Sequence, residues 1–327
     1  MKLFLLINIL MFRYGSAADP GYNGQFETLK SGRVTYVWEE PLGTPKGILF
    51  LAHGCQHSAL DFWPSNPKCE DCIGLPEEHK IVKRALESKY TVLAISSHSQ
   101  GHGGCWAARH DNNRVLKVLK KIKSEDTYKR LPVFALGVSS GGSFVAQLPE
   151  VLQQIAGIFI MVGHSDISFI SKKVQYPPSQ WIHMPRDRIL AEQINETVHG
   201  LKISGFRTEE IQVEPIPLSA TFFSDRIEKI SPSLSNQMYD LLKKNNFLKP
   251  DDTLAMDPRF SNWRRLMEPL MADISPDTLR INQSPISEEM NVAWAHHEIS
   301  ADHIQKTITF MDKISDNWLD NSHANEH

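Results

Sequence analysis

The sequence predicts an α/β fold, a doubly wound and mostly parallel sheet with helices on both faces. Three observations carry this prediction. Short runs rich in β-branched and aliphatic residues alternate with segments of helical period. The runs are apolar throughout instead of alternating with polar residues, as strands buried on both faces require. Their order between residues 47 and 139 is β-α-β-α-β, the pattern of parallel strands joined by crossover helices.

Taken in order, "RVTYVWEE" (33–40) and "GILFLAHG" (47–54) are strands separated by the turn "PLGTPK". "PEEHKIVKRALESK" (76–89) is helical, "YTVLAISS" (90–97) is a strand, and "DNNRVLKVLKKIKSED" (111–126) is a helix with Asp111 as its expected N-cap. "LPVFALGVS" (131–139) is a strand, and "GGSFVAQLPEVLQQ" (141–154) starts a helix. "IAGIFIMVG" (155–163) and "SQWIHM" (179–184) are strands, "RILAEQINETVHGLKISG" (188–205) is a helix closed by glycine, and "IQVEPIPL" (211–218) is a last strand. From 219 to 295 the pattern changes to polar loops and short helices, an excursion from a single domain spanning 19–327. "SADHIQKTITFMDKISDNWL" closes the chain as an amphipathic helix, with Ile304, Ile308, Met311 and Ile314 on one side.

The 327 residues are 41% hydrophobic and 22% charged, with a formal net charge of −3, an ordinary globular composition without the basic footprint of a nucleic-acid binder. "MKLFLLINILMF" followed by "RYGSAAD" reads as a signal peptide over 1–18, with Ser16 and Ala18 before a cut at Asp19. The apolar run is short for a membrane anchor, which needs about 20 residues, and no stable span is expected in the mature chain. Secretion would place Cys55, Cys69, Cys72 and Cys105 in an oxidising compartment as two disulfides, with three pairings open. Asn195 and Asn282 begin glycosylation tripeptides, the second followed by Pro285.

Gly137-Val138-Ser139-Ser140-Gly141 matches G-x-S-x-G, a turn that lifts a serine hydroxyl above a sheet between a strand and a helix. "PVFAL" and "SFVAQL" supply that strand and helix. The same glycines could serve a packing turn, but no G-K-[ST] follows to cradle a phosphate. A serine nucleophile needs a histidine to take its proton and a carboxylate to orient that histidine, in the chain order Ser, acid, His. "NVAWAHHEISADH" offers His296 and His297, of which His297 lies next to the turn into the last helix. Asp187, in the loop after "SQWIHM", is the expected acid, with Asp225 and Asp166 as rivals. The oxyanion donors expected are the backbone N–H of Ser140 and, by comparison with HG-type loops, that of Cys55 in "AHGCQH", with Gln56 second.

Across residues 30 to 315 the chain resembles an α/β-hydrolase. It is similar to plant and protist hydrolase-like proteins through "HGCQHSALDFWPSNPKCEDCIGLPEE", "GVSSGG", "HMPRD" and "AWAHHE". That resemblance implies the fold, hydrolytic activity, and the catalytic roles of Ser139, Asp187 and His297. The expected substrate is a small ester, with a peptide or amide on the same triad as the alternative and a receptor that does not turn over as a third reading. A metal reading would gather His53, His57, His98, His102 and His110 with Cys55 and Cys105. None has the H-E-x-x-H spacing and Cys69-x-x-Cys72 lacks a second pair, so neither metal nor cofactor is expected. A Cys55–Cys105 disulfide would instead tie the oxyanion loop to the next strand-end loop. Lys117, Lys120, Lys121 and Lys123 form a basic helix face, suited to an anionic membrane or simply to solvent while Val115, Leu119 and Ile122 pack inward. Phe222, Phe223 and Trp263 either cover an apolar acyl pocket or pack against the sheet. The sequence carries no signal of oligomeric state.

Overall fold

The computed structural model describes residues 22–30, 33–99, 104–166, 176–271 and 284–324, and side chains only as far as residue 318. The expected leader over 1–18, His102 and Asn282 lie outside the described residues. The chain runs β1 (Gln25–Leu29), β2 (Val34–Glu39), β3 (Gly47–Ala52), α1 (Pro76–Glu87), β4 (Tyr90–Ile95), α2 (Ala108–Ile122), β5 (Val133–Val138), α3 (Ser140–Gln147), β6 (Ile155–Met161), β7 (Ser179–His183), α4 (Arg188–Ile203) and β8 (Thr208–Gln212). Short helices follow: α5 (Phe222–Arg226), α6 (Pro232–Lys244), α7 (Trp263–Met267) and α8 (Pro285–Trp294), before the long α9 (Ile304–Ala324).

The eight strands form one sheet in the order β1-β2-β4-β3-β5-β6-β7-β8. β3 to β8 are parallel, and β1 and β2 join antiparallel at one side. All residues of β3, β4, β5, β6 and β7 are buried, which is why these strands read as unbroken apolar runs. Their side chains alternate between two layers. Leu49, Leu51 and Phe134 meet Ile81 and Val82 of α1 and Ile308 and Met311 of α9; Ile48, Phe50 and Ala135 meet Val115 and Leu119 of α2 and Ile194 and Val198 of α4. β3 is flanked by β4 on one side and β5 on the other. The chain therefore reverses its direction of winding there, opening a crevice at the carboxyl ends of β3 and β5, where open α/β sheets bind ligands.

Three local readings need correction, and the lysine face of α2 is solvated as one of its two readings had it. β1 was hidden because "QFETL" mixes charge with one aromatic; it is a half-exposed edge strand, fastened through Glu27, which accepts from Tyr36 (2.6 Å) and Trp38 (2.8 Å). Lys121 of the supposed basic face pairs with the same Glu27, while Val115, Leu119 and Ile122 are buried as expected of a solvated helix. Asp111 is not an N-cap: α2 starts at Ala108, and the buried Asp111 carboxylate reaches back to the N–H groups of Ala107 (2.9 Å) and His98 (2.8 Å). β8 lies earlier than 211–218, since Pro215 and Pro217 lack the N–H a ladder needs.

The segment 219–295 builds its own apolar cluster, in which Phe222, Phe223 and Trp263 are buried with Met238, Leu242 and Met290. They fill the helical layer. Two disulfides close within the region expected, Cys55–Cys105 and Cys69–Cys72. Paired Cys→Ala variants should differ in cost: the bridge between residues 50 apart should be worth about 4 kcal/mol and the one between residues 3 apart about 2 kcal/mol by chain entropy, read from urea unfolding midpoints. Equal costs would show that loop length does not govern them.

Candidate active site

Ser139 stands where β5 turns into α3, with φ 53° and ψ −117°, a left-handed conformation that costs a side-chain-bearing residue energy. The surroundings leave no alternative path. A Cβ on Gly137 would lie 2.1 Å from the Gly141 carbonyl oxygen, and one on Gly141 would lie 2.3 Å from that of Ala52. The chain thus packs backbone on backbone, while Ser139 N–H donates to Met161 O (2.9 Å) and Ser143 N–H to Ser139 O (2.9 Å). The result is a hydroxyl held out over the crevice.

Two other loops reach it. Asp187 follows β7 as the N-cap of α4; one carboxylate oxygen accepts from Leu190 N–H at 3.4 Å and the other from His297 Nδ1 at 2.7 Å. In the tautomer this selects, Ser139 Oγ donates to His297 Nε2 at 2.9 Å. Asp225 is instead bound by Thr221 (2.7 Å) in the helical layer, and Asp166 is exposed beyond β6. His296 turns away to share a 3.3 Å contact with Arg259.

The loop carrying His297 is shaped by groups that motif reasoning missed. Ala295 ends α8 in a left-handed conformation (φ 53°), redirecting the chain toward Ser139. Arg186 donates to Trp294 O (2.7 Å) and stacks on the Trp294 ring at 3.6 Å; Arg259 donates to His297 O (2.8 Å). Arg186 had one signal, its place beside Asp187 in "HMPRD". Arg259 had none.

On the opposite wall, Gly54, Cys55 and Gln56 leave the end of β3, with Gln56 at φ 67°. The Cys55–Cys105 disulfide joins this loop to the one after β4. The Ser140 N–H sits at the first position of α3, where a helix offers no internal acceptor. A cavity of about 360 Å³ is lined by Cys55, Gln56, His57, Ser139, Arg259 and His297 among others.

The described histidines of the metal reading do not gather into one cluster. Buried His53 accepts from Ser97 N–H (3.0 Å) and contacts Gly54 O (2.7 Å), and burial holds its pKa down to about 4. His98 faces Asp111 (3.3 Å) and stacks on His110 (4.4 Å), and Cys55 and Cys105 are oxidised to one another. His57 meets Asp61 at 2.8 Å. Burial pulls its pKa down, but the Asp61 hydrogen bond and the charges of Glu78, Asp61 and Glu298 prevail and lift it to about 9. Behind it, burial and the charge of Asp61 push Glu78 up against the opposing hydrogen bond from Glu288, burial and repulsion by Glu78 push Glu288 up, and burial beside Glu77 does the same to Glu289.

The sheet order, the strained serine after β5, the acid after β7 and the histidine before the last helix define an α/β-hydrolase fold. No protein-family model and no curated protein sequence matches the chain. Solved structures resemble it in outline. They include a thermostable esterase (14% identity, TM-score 0.44, covering 60% of this chain and 55% of that one). A dienelactone hydrolase from Anabaena variabilis follows at 13% identity and TM-score 0.45, with 58% of this chain and 86% of that one covered. An acetyl xylan esterase from Aspergillus awamori has 17% identity and TM-score 0.43, with 56% and 80% covered.

The titrating groups set how stability changes with pH. His53, with its depressed pKa, contributes stability above its ordinary 6.5 that is lost as pH falls through about 4. His57, with its raised pKa, contributes stability below 6.5 that is lost as pH rises through about 9, and the raised carboxyls act in the same direction. The melting temperature should therefore fall as pH rises from about 6.5 to 9, the range in which the raised groups lose their protons and His53 no longer opposes them, and Asp61→Asn should flatten the part of the fall nearest pH 9. Thermal scans from pH 4 to 10 check this; stability that climbs steadily to pH 9 contradicts it.

Proposed function

We propose that the protein is a secreted serine hydrolase that cleaves small carboxylic esters through an acyl-enzyme intermediate. The observation that carries this reading is the unbroken hydrogen-bond chain from Ser139 through His297 to Asp187, at 2.9 and 2.7 Å. Ser139 Oγ attacks the ester carbonyl as His297 Nε2 takes its proton, and Asp187 steadies the resulting imidazolium. The oxyanion is held by the backbone N–H groups of Ser140 and Cys55, in a loop that the disulfide to Cys105 keeps in place. Collapse expels the alcohol with the proton from His297. Water then attacks the acyl carbon, His297 takes its proton, and the carboxylic acid leaves as Ser139 regains its hydrogen.

A cavity of about 360 Å³ suits a small ester better than a polypeptide. Ser139→Ala should abolish both turnover and labelling by a fluorophosphonate, and Asp187→Asn should keep the fold yet lower kcat by as much as about 10⁴ through the wrong histidine tautomer. Asp225→Asn should leave kcat within twofold. A fluorophosphonate adduct on Ser139→Ala, or a crippled Asp225→Asn beside an active Asp187→Asn, would refute the assignment.

Secretion is supported by the leader pattern and by the pairing of all four cysteines. Asn195 is exposed on α4 while Thr197 of its tripeptide is buried, so a glycan there would have to be added before α4 packs. Intact mass of protein secreted from eukaryotic cells should show loss of residues 1–18 and no alkylatable thiol without reduction. Four reactive thiols would overturn the compartment.

A further inference from the structure

The candidate site holds a second histidine that the ester mechanism leaves unused. His57 lines the cavity that contains Ser139 and His297. A Cβ on Gly54 would lie 3.9 Å from His57 Cδ2 and 3.7 Å from Ser139 Cβ, so the ring and the serine border the same glycine of the oxyanion loop. Nδ1 is fixed: it donates to Asp61 Oδ2 at 2.8 Å, with Glu78 Oε1 at 3.9 Å. Asp61 is itself locked by Ser58 N–H (3.1 Å) as part of a capping box on the short turn 59–62. Nε2 has no partner among the described residues and is not sealed from solvent, the side chain being 22% exposed and lining both the Ser139 cavity and a neighbouring one of about 200 Å³ with Arg264, Glu288 and Asn291.

The charged groups around the ring include Arg259 and Arg264, which line cavities with it, and carboxylates from several elements. Asp61 lies on the turn 59–62, Glu78 on α1 with Glu288 of α8 behind it, and Glu298 on the loop after α8. His53, the neighbouring histidine, is held neutral by burial. Surrounded in this way, His57 keeps its proton to about pH 9. An imidazolium has no lone pair with which to compete for the Ser139 proton, but it has a charge-assisted N–H to give.

Building on the hydrolase reading, we propose that His57 is a substrate-binding residue whose Nε2–H donates to an acceptor oxygen carried by the ester beside the scissile group. The preferred substrates are then oxygen-substituted small esters, bearing a hydroxyl, alkoxy or carboxylate group, in place of plain alkyl esters. The cavity wall is mixed, Gln56, Arg259 and Glu298 accompanying His57 on it beside Val138, Val162 and Ile299. Phe222, Phe223 and Trp263, which would have suited an alkyl chain, are buried elsewhere.

Ethyl methoxyacetate and ethyl butyrate differ by one ether oxygen in place of a methylene. Their ratio of kcat/KM, followed with pH, cancels every titration that acts on both esters alike, and comparison between proteins cancels their intrinsic reactivities. In the wild-type protein the preference for the methoxy ester should hold to pH 8 and then fall about tenfold with a midpoint near 9, the loss expected for a charged hydrogen bond. Asp61→Asn should lower that midpoint, and His57→Gln should give the low ratio at every pH. Monoethyl succinate distinguishes the sources: a larger preference for it assigns a carboxylate, an equal one a neutral oxygen. A flat wild-type ratio that His57→Gln does not change overturns the proposal. Binding to Ser139→Ala, followed through the His57 Nε2 resonance, separates the two readings. A shift with methoxyacetate and not butyrate, alongside no turnover of any ester by the wild type, sinks the hydrolase reading and keeps His57; equal shifts with both esters sink His57 alone.

Discussion

The structure depends on the close approach of backbone to backbone at the turn after β5. Ser139 occupies a left-handed conformation because Gly137 and Gly141 let the turn press against itself and against the end of β3. That contact has three consequences at once. It lifts the hydroxyl above the sheet, starts α3 with its N–H groups facing the crevice, and places the Gly54–Gln56 loop within reach of the serine. The strain is sustained by its surroundings: β5 is buried along its whole length, and α3 packs Phe144 and Val145 into one core layer.

Around this point, the parallel sheet gathers residues that are distant in sequence. Ser139, the Cys55 loop and Asp187 all follow strands at their carboxyl ends, so three loops open on one edge of the sheet. His297 is the exception. It arrives from the helical layer, and its placement rests on the left-handed Ala295 and on the clamps from Arg186 and Arg259. Arg186 is bound to α8 one residue before the acid that bonds His297, so acid and histidine share a support as well as a hydrogen bond.

What was legible in the sequence follows from which forces are local. Buried parallel strands announce themselves by unbroken apolar runs, and the elbow by its glycines, because each is a constraint on neighbouring residues. Ser139, Asp187 and His297 could be ordered along the chain by the logic of the fold. Arg259, the His57–Asp61 pair and the Glu78–Glu288 contact could not, since each joins polar groups whose partners only tertiary packing selects. β1 was missed for a related reason: half-exposed edge strands need little apolar surface, and Glu27 is held by Tyr36 and Trp38 through polar contacts that a hydropathy pattern cannot show. Pro215 and Pro217 lie just beyond β8, but the apolar Val213, Ile216 and Leu218 around them imitate a strand in a hydropathy pattern.

The buried acids between α1 and α8 are better understood as a device of register than of stability. Glu77 accepts from Lys80 (2.6 Å) and from Ala301 N–H (2.7 Å), Glu289 binds Arg226, and Glu288 accepts from Glu77 N–H (3.2 Å). Removing such charges from water costs much of what their attraction returns, so the network adds little to folding energy by itself. It does exclude alternatives. A slip of α8 against α1 would leave several buried carboxylates without partners, each at a high cost. Since α8 leads directly into Ala295 and His297, its packing on α1 holds the imidazole where a 2.9 Å hydrogen bond can form.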